Sequence, residues 1–178
     1  PYTPATSDQV RRELFLYFEE AVYHRLNLNT RRPLLERAPF DTFGVELARM
    51  VSGDTHVGEL LGQLQRNTTM MLQDRLGEFR FWPIFRQFLQ WELDQSCTAE
   101  QQRTLYDRGG LYYELREDFG RALACYSRAG DHAKVSELLV KNAQLHPGMS
   151  HYDETAPYYR SLPESEILAS PALMQGMS

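Results

Sequence analysis

Apolar residues recur at helical spacing along most of this chain, and the clearest break in that rhythm lies at residues 67–89. There Met70, Met71 and Leu72 make a short apolar run, residues 73–77 supply turn formers, and Phe79 and Phe81 alternate around Arg80. That alternation is the mark of a half-buried strand. Ile84, Phe85, Phe88 and Leu89 then return to a single helical face. The pattern predicts a β-hairpin near 70–81 leading straight into a helix over about 83–95, the way a winged-helix domain ends.

The flanking stripes fill in the rest of that domain. Thr6-Ser7-Asp8-Gln9 has capping-box spacing and predicts a helix start. Val10, Leu14, Tyr17, Phe18, Ala21 and Val22, with Leu26, form its expected inward stripe, and residues 27–29 should end it. A short helix over about 31–37 carries Leu34 and Leu35, with Pro33 in its first turn. Asp41 is the expected cap of a third helix bearing Val45, Leu47, Ala48 and Val51, stopped at Gly53-Asp54. Thr55 is the expected cap of a fourth, with Leu60, Leu61 and Leu64 inward. Residues 1–97 therefore read as one winged-helix domain.

From residue 98 the spacing changes. Leu105, Tyr106, Gly109, Gly110, Tyr112 and Tyr113 mark one helix, and Phe119, Ala122, Leu123, Tyr126 and Ala129 mark the next. Tyr106, Gly110, Tyr113, Ala122, Tyr126 and Ala129 fit a tetratricopeptide-type hairpin, in which small residues let two helices approach and aromatics fill the groove. Gly130-Asp131 then stops one helix and caps another carrying Val135, Leu138, Leu139 and Ala143. After Pro147-Gly148 come a Tyr-rich helix near 154–160 and, from Leu162-Pro163-Glu164, the start of a further pair. One repeat cannot bury its own face, so residues 98–178 read as a truncated array of TPR-like helical repeats. The fold class expected is all-α with a small β-hairpin, a winged helix followed by the start of an α-superhelix.

Composition narrows the function. An apolar fraction of 42% supports a true core, and a net charge of −5 gives no footprint for a nucleic-acid backbone. Seventeen of the 19 basic residues are arginine, the exceptions being Lys134 and Lys141. Cys97 and Cys125 are too few for a disulfide framework or a thiolate zinc site, and no apolar run is long enough to span a membrane. A reducing, cytoplasmic setting is the expectation.

Candidate chemistry is sparse. The would-be recognition helix, residues 55–66, offers Glu59, Gln63, Gln65 and Arg66 without the basic cluster that phosphate contacts need, which favours a protein-contacting winged helix. Arg11-Arg12 and Arg31-Arg32 read as solvated faces or anchors for Glu13, Glu19 and Glu36. His146 and His151, with Asp153, lack the spacing and thiolate partner of a zinc site. No nucleophile motif, phosphate loop or paired acid–base constellation is present, so the segment is not expected to be an enzyme. The tyrosines Tyr112, Tyr113, Tyr126, Tyr152, Tyr158 and Tyr159 read as repeat packing, with Tyr158 and Tyr159 the expected exposed pair on a ligand or partner surface.

The order of motifs carries a resemblance. It runs through Phe18-Glu19-Glu20, Ala38-Pro39-Phe40-Asp41, Asn67, and Arg80-Phe81-Trp82-Pro83-Ile84-Phe85 with Phe88-Leu89. It continues through 102–139, with Gly120-Arg121-Ala122-Leu123 and Ala129-Gly130-Asp131, to Leu162-Pro163. This order resembles the large, ATP-binding, MalT-like transcriptional regulators of the LuxR family, within the STAND class of signal-transducing ATPases. The resemblance covers nearly the whole chain. It implies an internal signal-transmission segment, with an ATPase domain upstream, further repeats and a DNA-reading helix-turn-helix downstream, and ATP or ADP with Mg bound by the parent protein, not by these residues. The partners it implies are the ATPase domain and those repeats, with self-association and a small-molecule inducer, and no direct DNA or membrane contact.

One position departs from that family. Trp82 stands where relatives commonly place a histidine that contacts the β-phosphate of ADP. Indole donates one hydrogen bond and carries no charge, which leaves Arg80 and Arg86 as electrostatic substitutes. Two other readings remain open: a DNA-binding winged helix with a helical dimerisation tail, and a stand-alone repeat adaptor.

Overall fold

The computed structural model describes residues 4–145 and 152–176, and the chain divides into two compact units, Pro1–Thr98 and Ala99–Ser178. The first unit is helical apart from one hairpin. Its opening helix, α1 (Pro4–Ala21), begins ahead of the Thr6 cap, and only part of the expected stripe turns inward. Phe18 is buried and Phe15 half-buried, whereas Val10, Leu14 and Tyr17 are exposed. The reason is aromatic. Phe15 and Phe18 engage Phe85, Phe88 and Trp91 with ring centroids 5.4–6.0 Å apart, and rings of this size dominate core packing.

A 3-10 turn, Tyr23–Arg25, follows, and Asn27 acts as a start signal where a stop was expected. Its side-chain oxygen accepts from the Thr30 N–H at 2.9 Å and caps α2 (Leu28–Arg37). Pro33 consequently lies in the middle of α2, not in its first turn. Arg31 donates to the Leu26 and His24 carbonyls at 2.9 and 2.8 Å, so it anchors the preceding turn instead of an acidic neighbour.

Asp41 does not cap the next helix. The Phe43 N–H and carbonyl both pair with Phe79 at 2.9 Å, which holds the chain extended until Gly44 opens α3 (Val45–Ser52). Gly53, at φ 72°, closes α3 in the left-handed region that favours glycine. Thr55 is likewise not a cap: Asp54 accepts from the His56 N–H at 2.8 Å, and α4 (Val57–Asn67) is entered through His56. Val57, Leu61 and Leu64 are buried, while Leu60 is only half-buried.

The hairpin forms where the alternation predicts it. Strands β1 (Met71–Gln73) and β2 (Phe79–Phe81) are antiparallel, with Met71 opposite Phe81 and Leu72 opposite Arg80. The Asp74 carboxylate closes the turn by accepting from the Leu76 and Glu78 N–H groups at 2.8 and 3.0 Å, and Gly77 supplies φ 84°. Pro83 then opens α5 (Pro83–Ser96), whose Phe85, Phe88, Leu89 and Leu93 complete the core.

The second unit is wholly helical among the described residues. It comprises α6 (Ala99–Glu114), α7 (Phe119–Ala129), α8 (His132–Leu145), α9 (Tyr152–Ser161), α10 (Glu164–Ala169) and α11 (Pro171–Gly176). Asp118 caps α7 and Gly130, at φ 72°, ends it. Helices α6 and α7 pack closely because Gly110 has no Cβ: one built there would lie 2.7 Å from the Tyr126 ring. Leu173 of α11 is fully buried, and α11 packs against α8.

Candidate functional site

The corner between β2 and α5 holds the three residues that the sequence proposes for nucleotide sensing. The Trp82 N–H donates to the Met70 carbonyl at 2.9 Å, and the Trp82 carbonyl accepts the Arg86 N–H at 2.9 Å. The indole is about half exposed. Arg80 lies on the outer face of the wing, where β2 alternates buried, exposed, buried.

Arg86 is committed elsewhere. It donates to the Ala38 carbonyl at 2.9 Å and the Pro39 carbonyl at 3.0 Å, and pairs with the Asp41 carboxylate. The Gln90 amide adds a 3.3 Å bond to the Ala38 carbonyl. These contacts pin the 38–41 turn to α5. The corner therefore gathers no phosphate cradle: its best-placed cation is already neutralised, and its indole is a single neutral donor. The residues present do not fit a diphosphate.

Arg37 escaped sequence reasoning. It is fully buried, donates to the Pro33 and Ala48 carbonyls (3.1 Å to the latter), and lies 3.5 Å from Glu36. Its Nε finds no partner. Burial pushes the guanidinium down to about 10, opposed by the neighbouring Glu36 charge. Glu36 is itself buried and accepts from Arg32 at 2.9 Å. The available signal was a lone charged pair, Glu36-Arg37, inside the apolar block 33–40. Burying such a pair costs desolvation energy, which hydrogen bonds to the Pro33 and Ala48 carbonyls offset, and those bonds tie α2 to α3.

Two surfaces of the first unit are open. Helix α4 presents Glu59, Gln63 and Arg66 outward, with Arg66 its one base, and the cleft of about 480 Å³ beside it is edged by Glu36, Asp54 and Glu59 as well as Arg32 and His56. That mixture does not attract a polyphosphate backbone. Elsewhere on this unit, α1 exposes Val10 at 43%, Leu14 at 37% and Tyr17 at 58%, one residue per turn along one stripe. An exposed apolar stripe of this kind marks a protein contact.

In the second unit the expected exposed tyrosine pair is corrected. Tyr159 is 3% exposed and Tyr158 is half-buried, because α9 turns both toward its own unit. Burial raises both hydroxyls above the usual tyrosine range. Tyr113 and Tyr126 are also interior, and Tyr126 donates to the Glu114 carboxylate at 2.7 Å. His146, His151 and the side chain of Asp153 lie outside the described residues. Among those described, no group of three or more histidines, cysteines or acids is placed to hold a metal ion, and no helix is long and apolar enough to cross a membrane.

Comparison with known families places this geometry. Residues 18–102 match the MalT winged helix domain, a span that runs from Phe18 of α1 past the wing and α5. The match supports a fragment of a MalT-like transcriptional regulator. No curated protein matches the chain.

Proposed function

Residues 18–102 being a winged helix of the MalT type, we propose that this chain is the internal transmission segment of an ATP-dependent transcription regulator of that type. In this reading the winged helix works through protein contacts. A nucleotide-binding domain upstream docks on the α1 stripe, and the helices after residue 98 begin a TPR-like superhelix that carries sensing and oligomerisation surfaces. ATP or ADP with Mg belongs to the parent protein's ATPase domain, of the STAND class, within a LuxR-family architecture.

The observation that carries the reading is the pairing of a MalT-type winged helix with the wrong surface for DNA. Its α4 shows a single outward base, and its α1 shows an uncovered apolar stripe, Val10, Leu14 and Tyr17. A domain docked on that stripe in one nucleotide state and displaced in the other need differ by only a few kcal/mol between its two packings.

Amide exchange in the parent regulator tests this. Residues 10–17 are expected to be protected in one of the ADP and ATP states and freely exchanging in the other. Leu14→Glu should abolish inducer-dependent activation while leaving ATP hydrolysis intact. Equal exchange in both states overturns the docking role. A gel shift by this chain alone, weakening steeply as salt rises, would instead establish a DNA-binding winged helix.

A further inference from the structure

On the flank of α1 away from the Val10 stripe lies a groove of about 700 Å³ between α1 and α5. Helix α1 runs antiparallel to α5 here, because Phe15 meets Trp91 whereas Phe18, further along, meets Phe85, earlier in α5. The floor is Phe15, Leu16 and Trp91, of which Leu16 is 59% and Trp91 42% exposed. Arg11 and Arg12 line one end and Glu19 lines the other. Among the described residues Arg11 pairs with the exposed Asp8, and Glu19 with His24 at 3.7 Å.

This arrangement has a built-in complement. A helix fits the groove if it brings acid to the Arg11–Arg12 end, an aliphatic residue to the middle and base to the Glu19 end. Helix α1 read in reverse meets that description. Antiparallel pairing about a two-fold axis between residues 15 and 16 sets Arg12 opposite the second copy's Glu19. Phe15 then meets the second copy's Leu16. Each contact occurs twice, as a two-fold interface requires.

We infer that the groove between α1 and α5 is a self-association surface that takes α1 of a second copy. Asp94 remains on the α5 wall, across from the arginines. A helix of 18 residues is about 27 Å long, so the contact is small by the standard of permanent dimers and exchanges readily. The inference does not rest on the ATPase reading, since it concerns this chain alone.

Sedimentation equilibrium of the 178-residue chain tests it. Over about 1 to about 300 µM, a range suited to small interfaces, the mean mass should climb from 20.7 kDa toward twice that value. Leu16→Glu, at an exposed position, should keep the melting temperature and hold the chain at monomer mass. Arg12→Glu alone should weaken association at least tenfold, and Glu19→Arg alone should do the same. The double variant Arg12→Glu/Glu19→Arg should restore most of it, because the swapped charges again face their opposites. Monomer mass throughout for the unaltered chain overturns the proposal. So does a dimer unaffected by Leu16→Glu, and failure of the double variant to recover overturns the antiparallel register.

Discussion

Gly110→Ala measures how tightly the second unit is built. A Cβ at position 110 would lie 2.7, 2.8 and 2.9 Å from three ring carbons of Tyr126, distances that packed carbons do not tolerate. The ring cannot simply swing away, since its hydroxyl donates to Glu114 at 2.7 Å and Lys134 lies 3.5 Å from the other carboxylate oxygen. Overpacking of this kind costs about 1–3 kcal/mol. If the ring does shift, the bond to a charged acceptor forfeits a further ~1.5–3 kcal/mol. Against this, replacing glycine by alanine inside a helix gains about 1 kcal/mol. The net is a loss of about 2 kcal/mol, or roughly 10 °C in the melting temperature of a unit this size. Urea melts followed by far-ultraviolet circular dichroism should show it. In a Tyr126→Leu background the clash disappears, so the same substitution should become neutral or stabilising by up to ~1 kcal/mol, a coupling read directly from the double-mutant cycle. A Gly110→Ala variant as stable as the parent, with Tyr126 intact, would refute the close-approach argument.

Other expectations concern the first unit and its titration. Arg86→Ala strands the Pro39 carbonyl, leaves the Ala38 carbonyl with Gln90 alone and should cost about 2 kcal/mol in a urea melt, whereas Asp41→Asn, at the exposed end of the same cluster, should stay within ~0.5 kcal/mol. Asp74→Ala removes both bonds that its carboxylate makes across the wing turn, for about 1 kcal/mol, visible as faster amide exchange at Leu76 and Glu78. Burial pushes Tyr23 and Tyr113 up to about 12 and raises Tyr126 as well. The folded chain keeps those protons after the unfolded chain, with hydroxyls near 10.0, has released them. Their contribution is complete below pH 10 and is lost as pH rises toward 12, so the melting temperature should fall between about pH 10 and about 12. Arg37, lowered to about 10, acts in the opposite direction, but as one group against three.

How much of this was legible depended on whether a residue's role was local. The wing was readable because period-two alternation and a turn-forming Asp74–Gly77 segment act within ten residues, and the strands lie where Met71, Phe79 and Phe81 placed them. Helix starts failed where a distant partner decided them. Asp41 looks like a cap until Phe79, far along the chain, pulls Phe43 into an extended bridge, after which Asp41 turns to Arg86 instead. The α1 face is only partly legible for the same reason: Phe18 of the expected stripe is buried, but Val10, Leu14 and Tyr17 have impeccable spacing and stay exposed, and only α5 reveals that Phe15 joins Phe18 against the core. Tyr159 was misjudged because adjacent aromatics on a short helix give no clue to which side is covered. Arg37 was invisible in principle to periodicity, since burying a guanidinium is justified only by carbonyls of α2 and α3 that sequence alone does not bring together.

The same corner that fails as a phosphate site has the properties of a stiff joint. The Trp82 N–H is tied to the base of β1 through Met70, the Trp82 carbonyl starts the hydrogen-bond ladder of α5, and Pro83 fixes the first helical φ between them. One turn later Arg86 clamps the 38–41 turn with its whole guanidinium. Wing, turn and helix are thereby coupled without a flexible residue at the junction, and Phe43 extends the coupling by pairing with β2. On the proposed function, a load applied to the wing or to the 38–41 turn would pass through these bonds to α5. On the proposed reading, that makes Trp82 and Arg86 mechanical residues, not sensors. The two roles separate cleanly. Arg86→Ala in the parent regulator should uncouple activation from hydrolysis while leaving the affinity for ADP unchanged, and a large fall in ADP affinity would return the corner to the nucleotide site.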